Sequence, residues 1–302
     1  MYCNRQSVTL SGMPISSMPS LTRRVFSLSA LGAGATLLRS AAPEMHWALL
    51  SDTHIPSDAA NAYRGFQPVA NLKRIVPEIV AAKPQGALIC GDVARLEGLA
   101  ADYQAVRTIL KPVMDNMPVA MALGNHDHRE NFISVFGAAQ TGAQALKNRH
   151  VLVVEGPSVR LIVLDSLVEA NSTPGFLGKA QRTWLAEYLK SSSDLPTLVF
   201  VHHTLSDDDG ALLDAPRLFD IVRRVHKVKA IFYGHSHDYA YDQWEGIHLV
   251  NLPAVGYNFR DSEPLGWVDA RLHGDGAALT LRSFGGNQEK NGKTVDLRWR
   301  SA

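Results

Sequence analysis

Apolar residues follow one another along the chain in two rhythms. Continuous runs of four or five have the length and saturation of strands covered on both faces. They are Trp47-Ala48-Leu49-Leu50, Ala87-Leu88-Ile89-Cys90, Met117-Pro118-Val119-Ala120-Met121, Leu198-Val199-Phe200-Val201 and Ala230-Ile231-Phe232-Tyr233. Between them the spacing changes. Val69, Leu72, Ile75, Val76, Ile79 and Val80 recur at three- and four-residue steps, which predicts a helix over 68–82 with Pro77 as its kink or split point. Further helices are predicted over 99–114, over 178–190 with Trp184, Leu185, Tyr188 and Leu189 as the apolar stripe, and over 213–228. Strands alternating with helices as far as a third strand over 117–123 imply parallel pairing with helical crossovers, the α/β class.

Later stretches read differently. Val151 to Val154 and Val159 to Leu164 flank Glu155-Gly156-Pro157-Ser158 and read as a hairpin. After residue 239, strands over 241–244 and 247–252 surround Glu245-Gly246, and strands over 266–272 and 277–283 surround His273-Gly274-Asp275-Gly276. Val295 to Trp299 reads as one last edge strand, and 129–146 as short helices and turns. No repeat and no second-domain boundary interrupts 43–302, which is read as a single domain.

Each of the five saturated runs discharges into residues able to bind a metal. The fragments are Asp52-Thr53-His54, Gly91-Asp92, Gly124-Asn125-His126-Asp127, His202-His203 and Gly234-His235-Ser236-His237. By itself, Gly-Asn-His-Asp fits a turn with a surface histidine equally well. Five such fragments point instead to one site at the carboxyl ends of strands, where open α/β sheets bind ligands. Imidazoles mixed with carboxylates suit Zn²⁺, Mn²⁺, Fe²⁺ or Co²⁺, whereas Mg²⁺ or Ca²⁺ alone would favour an all-oxygen cage. Ligands two apart on extended backbone, as in Asp52 and His54, lie on the same side and can reach one ion. His54, His126, His202, His203, His235 and His237 are six of the twelve histidines; the others have no such context and read as structural or exposed.

The order Asp-x-His, Gly-Asp, Gly-Asn-His-Asp, His-His, Gly-His-x-His resembles that of the calcineurin-like metallophosphoesterases, over residues 46 to 284 and without a substitution among the expected ligands. The resemblance implies a four-layer α-β-β-α sandwich of two mixed sheets, with the metal site at the carboxyl ends of the strands. It implies two divalent transition-metal ions, Mn, Fe, Zn or Co, one held by Asp52, His54, Asp92 and His237. Asp92, Asn125, His202 and His235 would hold the other, with Asp92 bridging. The implied reaction is hydrolysis of a small phosphoester, a phosphodiester first, by in-line attack of a metal-bound hydroxide. Asn125 would stabilise the transition state and His126 would act as general acid, held by a hydrogen bond that its ring donates to Asp127. Alternatives are a phosphomonoester substrate on the same site, or a catalytically silent metal-binding scaffold. His203 reads as a substrate contact or a support for the ligands. Arg129 reads as a phosphate contact or a helix-start surface arginine, and Tyr257 with Phe259 as a stacking surface or simple packing.

Among branches, the cyclic-nucleotide phosphodiesterases are the nearest. Yet the paired histidines are followed by Thr204-Leu205-Ser206-Asp207-Asp208-Asp209 rather than by that branch's prolines. Purple acid phosphatases place a tyrosine ligand three residues after the bridging aspartate. Arg95 stands there instead, which argues against an Fe(III)–tyrosinate site.

Composition adds an address. Apolar content of 46% and a mean hydropathy of −0.07 are ordinary for a globular chain. Residues 1–42 hold four arginines and no acid, so removing them takes the formal net charge from +1 to −3. That weakly acidic body argues against a nucleic-acid partner. Thr22-Arg23-Arg24-Val25-Phe26-Ser27-Leu28 precedes a short, small-residue apolar run that ends near Leu38, and the whole of 1–42 resembles a twin-arginine export signal. The run falls short of the ~20 residues of a membrane span. Cys3 lies in that segment and Cys90 at a strand end, so no intramolecular disulfide is expected beyond it. The expected partner is therefore the twin-arginine export machinery, and the expected location periplasmic or secreted. Replacing Arg23 and Arg24 together with lysine should leave precursor in the cytoplasm, followed by fractionation and immunoblotting. Unchanged export would rule this route out.

Overall fold

Alternation inside each saturated strand decides the layering. In β1 (Met45–Leu50), Trp47 and Leu49 face one core while Ala48 and Leu50 face another. The structure, a computed structural model, describes residues 43–137, 146 and 148–301. The expected export signal at 1–42 lies outside the described residues, as does most of 138–147 in the stretch read as short helices and turns. That stretch opens with one helix, α3 (Arg129–Phe136).

The expected crossovers are present. β1 is followed by α1 (Pro68–Ala82), β2 (Gly86–Cys90), α2 (Ala100–Met114) and β3 (Val119–Ala122), with β1 parallel to β2 and β2 to β3. β10 (Pro264–Leu272), β11 (Gly276–Gly286) and β12 (Thr294–Arg298) extend this sheet antiparallel, in the order β12-β11-β10-β1-β2-β3. The second sheet is β4 (Leu152–Glu155), β5 (Arg160–Val163), β6 (Thr197–Phe200), β7 (Val228–Tyr233), β9 (Ile247–Asn251) and β8 (Ala240–Trp244), in that spatial order. Its central pairs β5–β6, β6–β7 and β7–β9 are parallel, and its two outer pairs antiparallel. Three cores follow from this. α1, α2 and α3 cover one face of the first sheet, the two sheets pack on each other, and α4 (Gly178–Ser191) with α5 (Ala215–Val222) cover the far face of the second. This is the four-layer α-β-β-α arrangement. No helix among the described residues is long and apolar enough to cross a membrane.

Three differences from the sequence reading have a physical reason in the structure. α1 runs through Pro77 as one helix because that residue lies on the exposed face, where the carbonyl it leaves unbonded meets water. β3 starts two residues late because Pro118 has no N–H to give; its carbonyl instead accepts from Ala87. The helix expected over 213–228 stops at Val222. Arg300 from the chain's tail donates to the carbonyls of Val222 and Val225, satisfying the helix end, and Val228 already belongs to β7.

Between the sheets, Phe200 and Phe232 stack at 4.8 Å, both fully buried. Phe200→Ala should cost about 3–5 kcal/mol through the cavity it leaves. Denaturant unfolding measures it, and a loss under 1 kcal/mol would mean that the sheets close over the gap.

Candidate metal centre

Five strand ends meet at one place. β1, β2 and β3 of the first sheet and β6 and β7 of the second run parallel, so their carboxyl ends deliver Asp52 and His54, Asp92, Asn125, His202, and His235 and His237 to a common pocket. The ligand atoms of Asp52, His54 and His237 lie within 4.8 Å of one another, and so do those of Asp92, His202 and His235. His54, Asp92 and His126 form a third such group that links the first two. Asn125 joins through its Oδ1, 2.9 Å from His235 Nδ1.

Such crowding needs backbone concessions. Asp52, His54, Asp92, His235 and His237 all hold φ between 46° and 70°, the left-handed region that costs side-chain-bearing residues about 1–3 kcal/mol each when sustained. Glycines make the close approaches possible. A Cβ on Gly124 would overlap the Asp92 carboxylate, and one on Gly234 would overlap Asp52 and Ser51.

Outer contacts orient the rings. His202 Nδ1 meets the Cys90 carbonyl at 2.7 Å and His237 Nδ1 the Tyr257 carbonyl at 2.6 Å, so both donate there and turn Nε2 inward. His202 Nε2 then faces Asp92 Oδ2 at 3.3 Å, and His237 Nε2 faces Asp52 Oδ1 at 3.3 Å and His54 Nε2 at 3.1 Å. Converging lone pairs of this kind call for a cation. Burial alone would lower the His202 pKa, but the Asp92 and Asp52 carboxylates outweigh it and raise it to about 9, so a proton there answers the same negative charge as an ion would. Burial opposes ionisation of Asp52 and Asp92 too, yet the neighbouring imidazoles hold both well below the usual carboxylate range. Burial pushes His54 well below its ordinary value, and burial together with the His202 charge takes His235 to about 4, leaving neutral rings suited to coordination. The donor set fits divalent transition ions.

Several expected roles change. Asp127 makes no hydrogen bond to His126. Its carboxylate accepts from the backbone N–H groups of Gly124, Val93 and Ala94 and from the Tyr103 hydroxyl, all within 3.1 Å. Burial and the Asp92 charge push it up to about 6 against those donors, and its work is to fasten the β3 turn to the loop after β2. His126 Nδ1 instead meets the Leu96 carbonyl at 3.0 Å. Arg129 starts α3, the helix-start alternative of its reading, and its guanidinium is engaged by Asp165 and the carbonyls of Leu167 and Val168. His203 is fully buried, bonded to Ser166 Oγ at 2.7 Å and packed against His202 and His235; it supports ligands rather than meeting substrate. Tyr257 is 3% exposed, its ring against His54 and His237 at 4.7 Å, so the exposed ring is that of Phe259, stacked on His237. Arg95 lies over the Tyr63 and Tyr257 rings.

Sequence reasoning missed Ser51, whose hydroxyl donates to Asp52, and Tyr103. It also missed Asp165, which ends the apolar run of β5 as the ligands end theirs, a signal that was available in the pattern.

Comparison with known proteins agrees with this geometry. The chain is 29% identical over 261 residues to a probable cyclic nucleotide phosphodiesterase of Rhodopseudomonas palustris, covering 80% of this chain and 93% of that protein. It is 26% identical over 247 residues to a 3′,5′-cyclic adenosine monophosphate phosphodiesterase of Haemophilus influenzae, covering 76% and 86%. Its fold matches a dimetal phosphatase of Danio rerio with a TM-score of 0.67 at 16% identity, over 85% of this chain and 99% of that one. The profile of the calcineurin-like phosphoesterases matches residues 45–239, a span that takes in every strand end feeding the pocket. The chain therefore belongs to the calcineurin-like phosphoesterase family, and it is a metal-dependent phosphoesterase.

Proposed function

We propose that the chain hydrolyses small phosphodiesters, cyclic nucleotides among them, at a two-ion centre. The observation that carries the reading is the pair of ligand groups Asp52/His54/His237 and Asp92/His202/His235, linked by the group His54/Asp92/His126. The names of the relatives in Rhodopseudomonas palustris and Haemophilus influenzae support a cyclic-nucleotide diester in particular. Two divalent ions, when bound, supply Lewis acidity at phosphoryl oxygens and make water a stronger nucleophile at neutral pH. Asp92, a member of one group and of the set that links it to the other, would serve both ions. Asn125 offers an amide beside His235 for a phosphoryl oxygen. The Leu96 carbonyl fixes His126 Nδ1 as an N–H and turns Nε2 into the atom that exchanges a proton. As an imidazolium, protonated on both nitrogens, His126 gives the Nε2 proton to the departing ester oxygen and is left as the neutral Nδ1–H ring.

The arginine pair at 23–24 supports placing this activity outside the cytoplasm, reached through twin-arginine export.

A panel of aryl, alkyl and cyclic phosphodiesters and monoesters, run on protein of known metal content, tests the reading. Turnover of monoesters alone would overturn it. Two variants sharpen it. Asp92→Ala should lose more metal than any other single ligand change, to below one equivalent by elemental analysis after gel filtration; retention of two tight ions would refute the bridging role. His126→Asn should keep both ions and lose roughly 10²–10⁴-fold in kcat on alkyl diesters, with a smaller loss on nitrophenyl diesters, whose leaving group departs without a proton. Equal losses on both would move His126 to electrostatic stabilisation, and loss of metal would make it a ligand, as its place beside His54 and Asp92 permits.

A further inference from the structure

Three residues beyond Asp92, on the loop after β2, Arg95 carries a charge that no carboxylate pairs with among the described residues. Its backbone N–H donates to the Ile55 carbonyl, and its own carbonyl accepts from Glu97 and Gly98, which ties this loop to the one after β1. The carbonyl of the next residue, Leu96, is the one that receives His126 Nδ1. Arg95 therefore stands on the loop that orients the proton donor.

Its guanidinium carbon lies 4.9 Å from the centre of the Tyr63 ring and 5.6 Å from that of Tyr257. Tyr257 packs in turn against His54 and His237, both at 4.7 Å, so one ring separates this charge from the metal ligands. Ring faces hold a cation in place but leave its five N–H donors unanswered. Nε is buried and has no acceptor. Nη1 and Nη2 reach solvent and have no acceptor among the described residues either. Asp102, the acid close enough to feel the charge, accepts from Ser57 N instead. Arg64, on the neighbouring loop, is engaged by the carbonyls of Asn258 and Phe259. A positioned fork with both ends open suits an anionic group that can take two parallel hydrogen bonds. Set one ring away from the ligands, it is placed for a group further along the ester than the reacting phosphoryl.

We propose that Arg95 forms an anion subsite beside the metal centre, where Nη1 and Nη2 receive a second negatively charged group, carboxylate or phosphoryl, carried on an organic arm of the ester. The Tyr63 ring, 39% exposed, holds the fork toward it. The substrates favoured are thus phosphodiesters with a further anion a few bonds from the reacting phosphorus. The inference rests on the phosphodiesterase reading.

The test uses metal-loaded protein and three symmetric diesters: bis(4-carboxyphenyl), bis(4-phosphonophenyl) and, as the uncharged match, bis(4-carbamoylphenyl) phosphate. Symmetry puts the same group on both arms, so either orientation is read. The measured quantity is the ratio of kcat/KM between charged and uncharged diesters. In the wild type it should favour a charged diester roughly tenfold, through KM, and the two anions tell carboxylate from phosphoryl. Arg95→Met keeps an apolar stem against the rings and should bring the ratio near one. Arg95→Lys, charged but without the fork, should keep only part of it. Tyr63→Ala, at an exposed position, should lower it severalfold by releasing the guanidinium. A wild-type ratio near one or a ratio that survives in Arg95→Met would overturn the proposal. So would an equal loss on charged and uncharged diesters, which would assign Arg95 to the reacting phosphoryl or to packing. If melting shows Arg95→Met to be misfolded, Arg95→Lys and Tyr63→Ala decide, and an unchanged ratio in both overturns the subsite. Failure of the wild type to cleave these diesters and bis(4-nitrophenyl) phosphate would instead defeat the phosphodiesterase reading, which is distinct from an active enzyme indifferent to the added charge.

Discussion

Two carboxylates, Asp52 and Asp92, are buried in one pocket, and the rest of the molecule answers that fact. Burial penalises each charge and their mutual repulsion adds to the penalty. What offsets it is a set of surrounding imidazoles, of which His202 and His237 have their far nitrogens tied to backbone carbonyls, so that the near ones point at the carboxylates. Without an ion, the raised His202 keeps a proton there. A divalent cation meets the same demand with more charge and shorter bonds, which makes metal binding the natural completion of the fold's electrostatics.

Holding these groups together takes conformations the chain would not adopt alone. Five candidate ligands have left-handed φ, and glycines at 124 and 234 leave room where a neighbouring ligand passes. Strain at a site persists where packing over-determines it. Here the packing is three saturated cores, with Leu49, Leu88, Phe200 and Phe232 in the middle one, directly beneath the strand ends. The strained turns are anchored from below and from the side. Asp127 shows the second kind of anchor, since its four hydrogen bonds lock the turn carrying Asn125 and His126 to the segment carrying Asp92.

How legible this was in the sequence depends on the range of each interaction. Saturated strands, helical spacing and ligand fragments are local, and they gave the layers and the pocket's membership. Asp127 was misread because its sequence neighbour His126 looked like its partner, whereas three of its four donors come from residues 93, 94 and 103. Arg129 does start α3, as one of its two readings had it, but its partner Asp165 is 36 residues away and outside the reach of local pattern. Whether Tyr257 or Phe259 faces solvent turns on which ring packs against His54, and no spacing rule reaches that far. The helix over 213–228 was drawn too long because Arg300, near the other end of the domain, decides where it stops.

The division of labour between the sheets is the last consequence of the topology. The carboxylates Asp52 and Asp92 come from the first sheet with His54 and His126, and His202, His235 and His237 come from the second. The groups Asp52/His54/His237 and Asp92/His202/His235 each draw on both sheets. Coordination therefore joins the sheets at the top, just as the shared apolar core joins them below. The relation is reciprocal: any ion that binds the assembled pocket and not the separated sheets stabilises their packing by mass action.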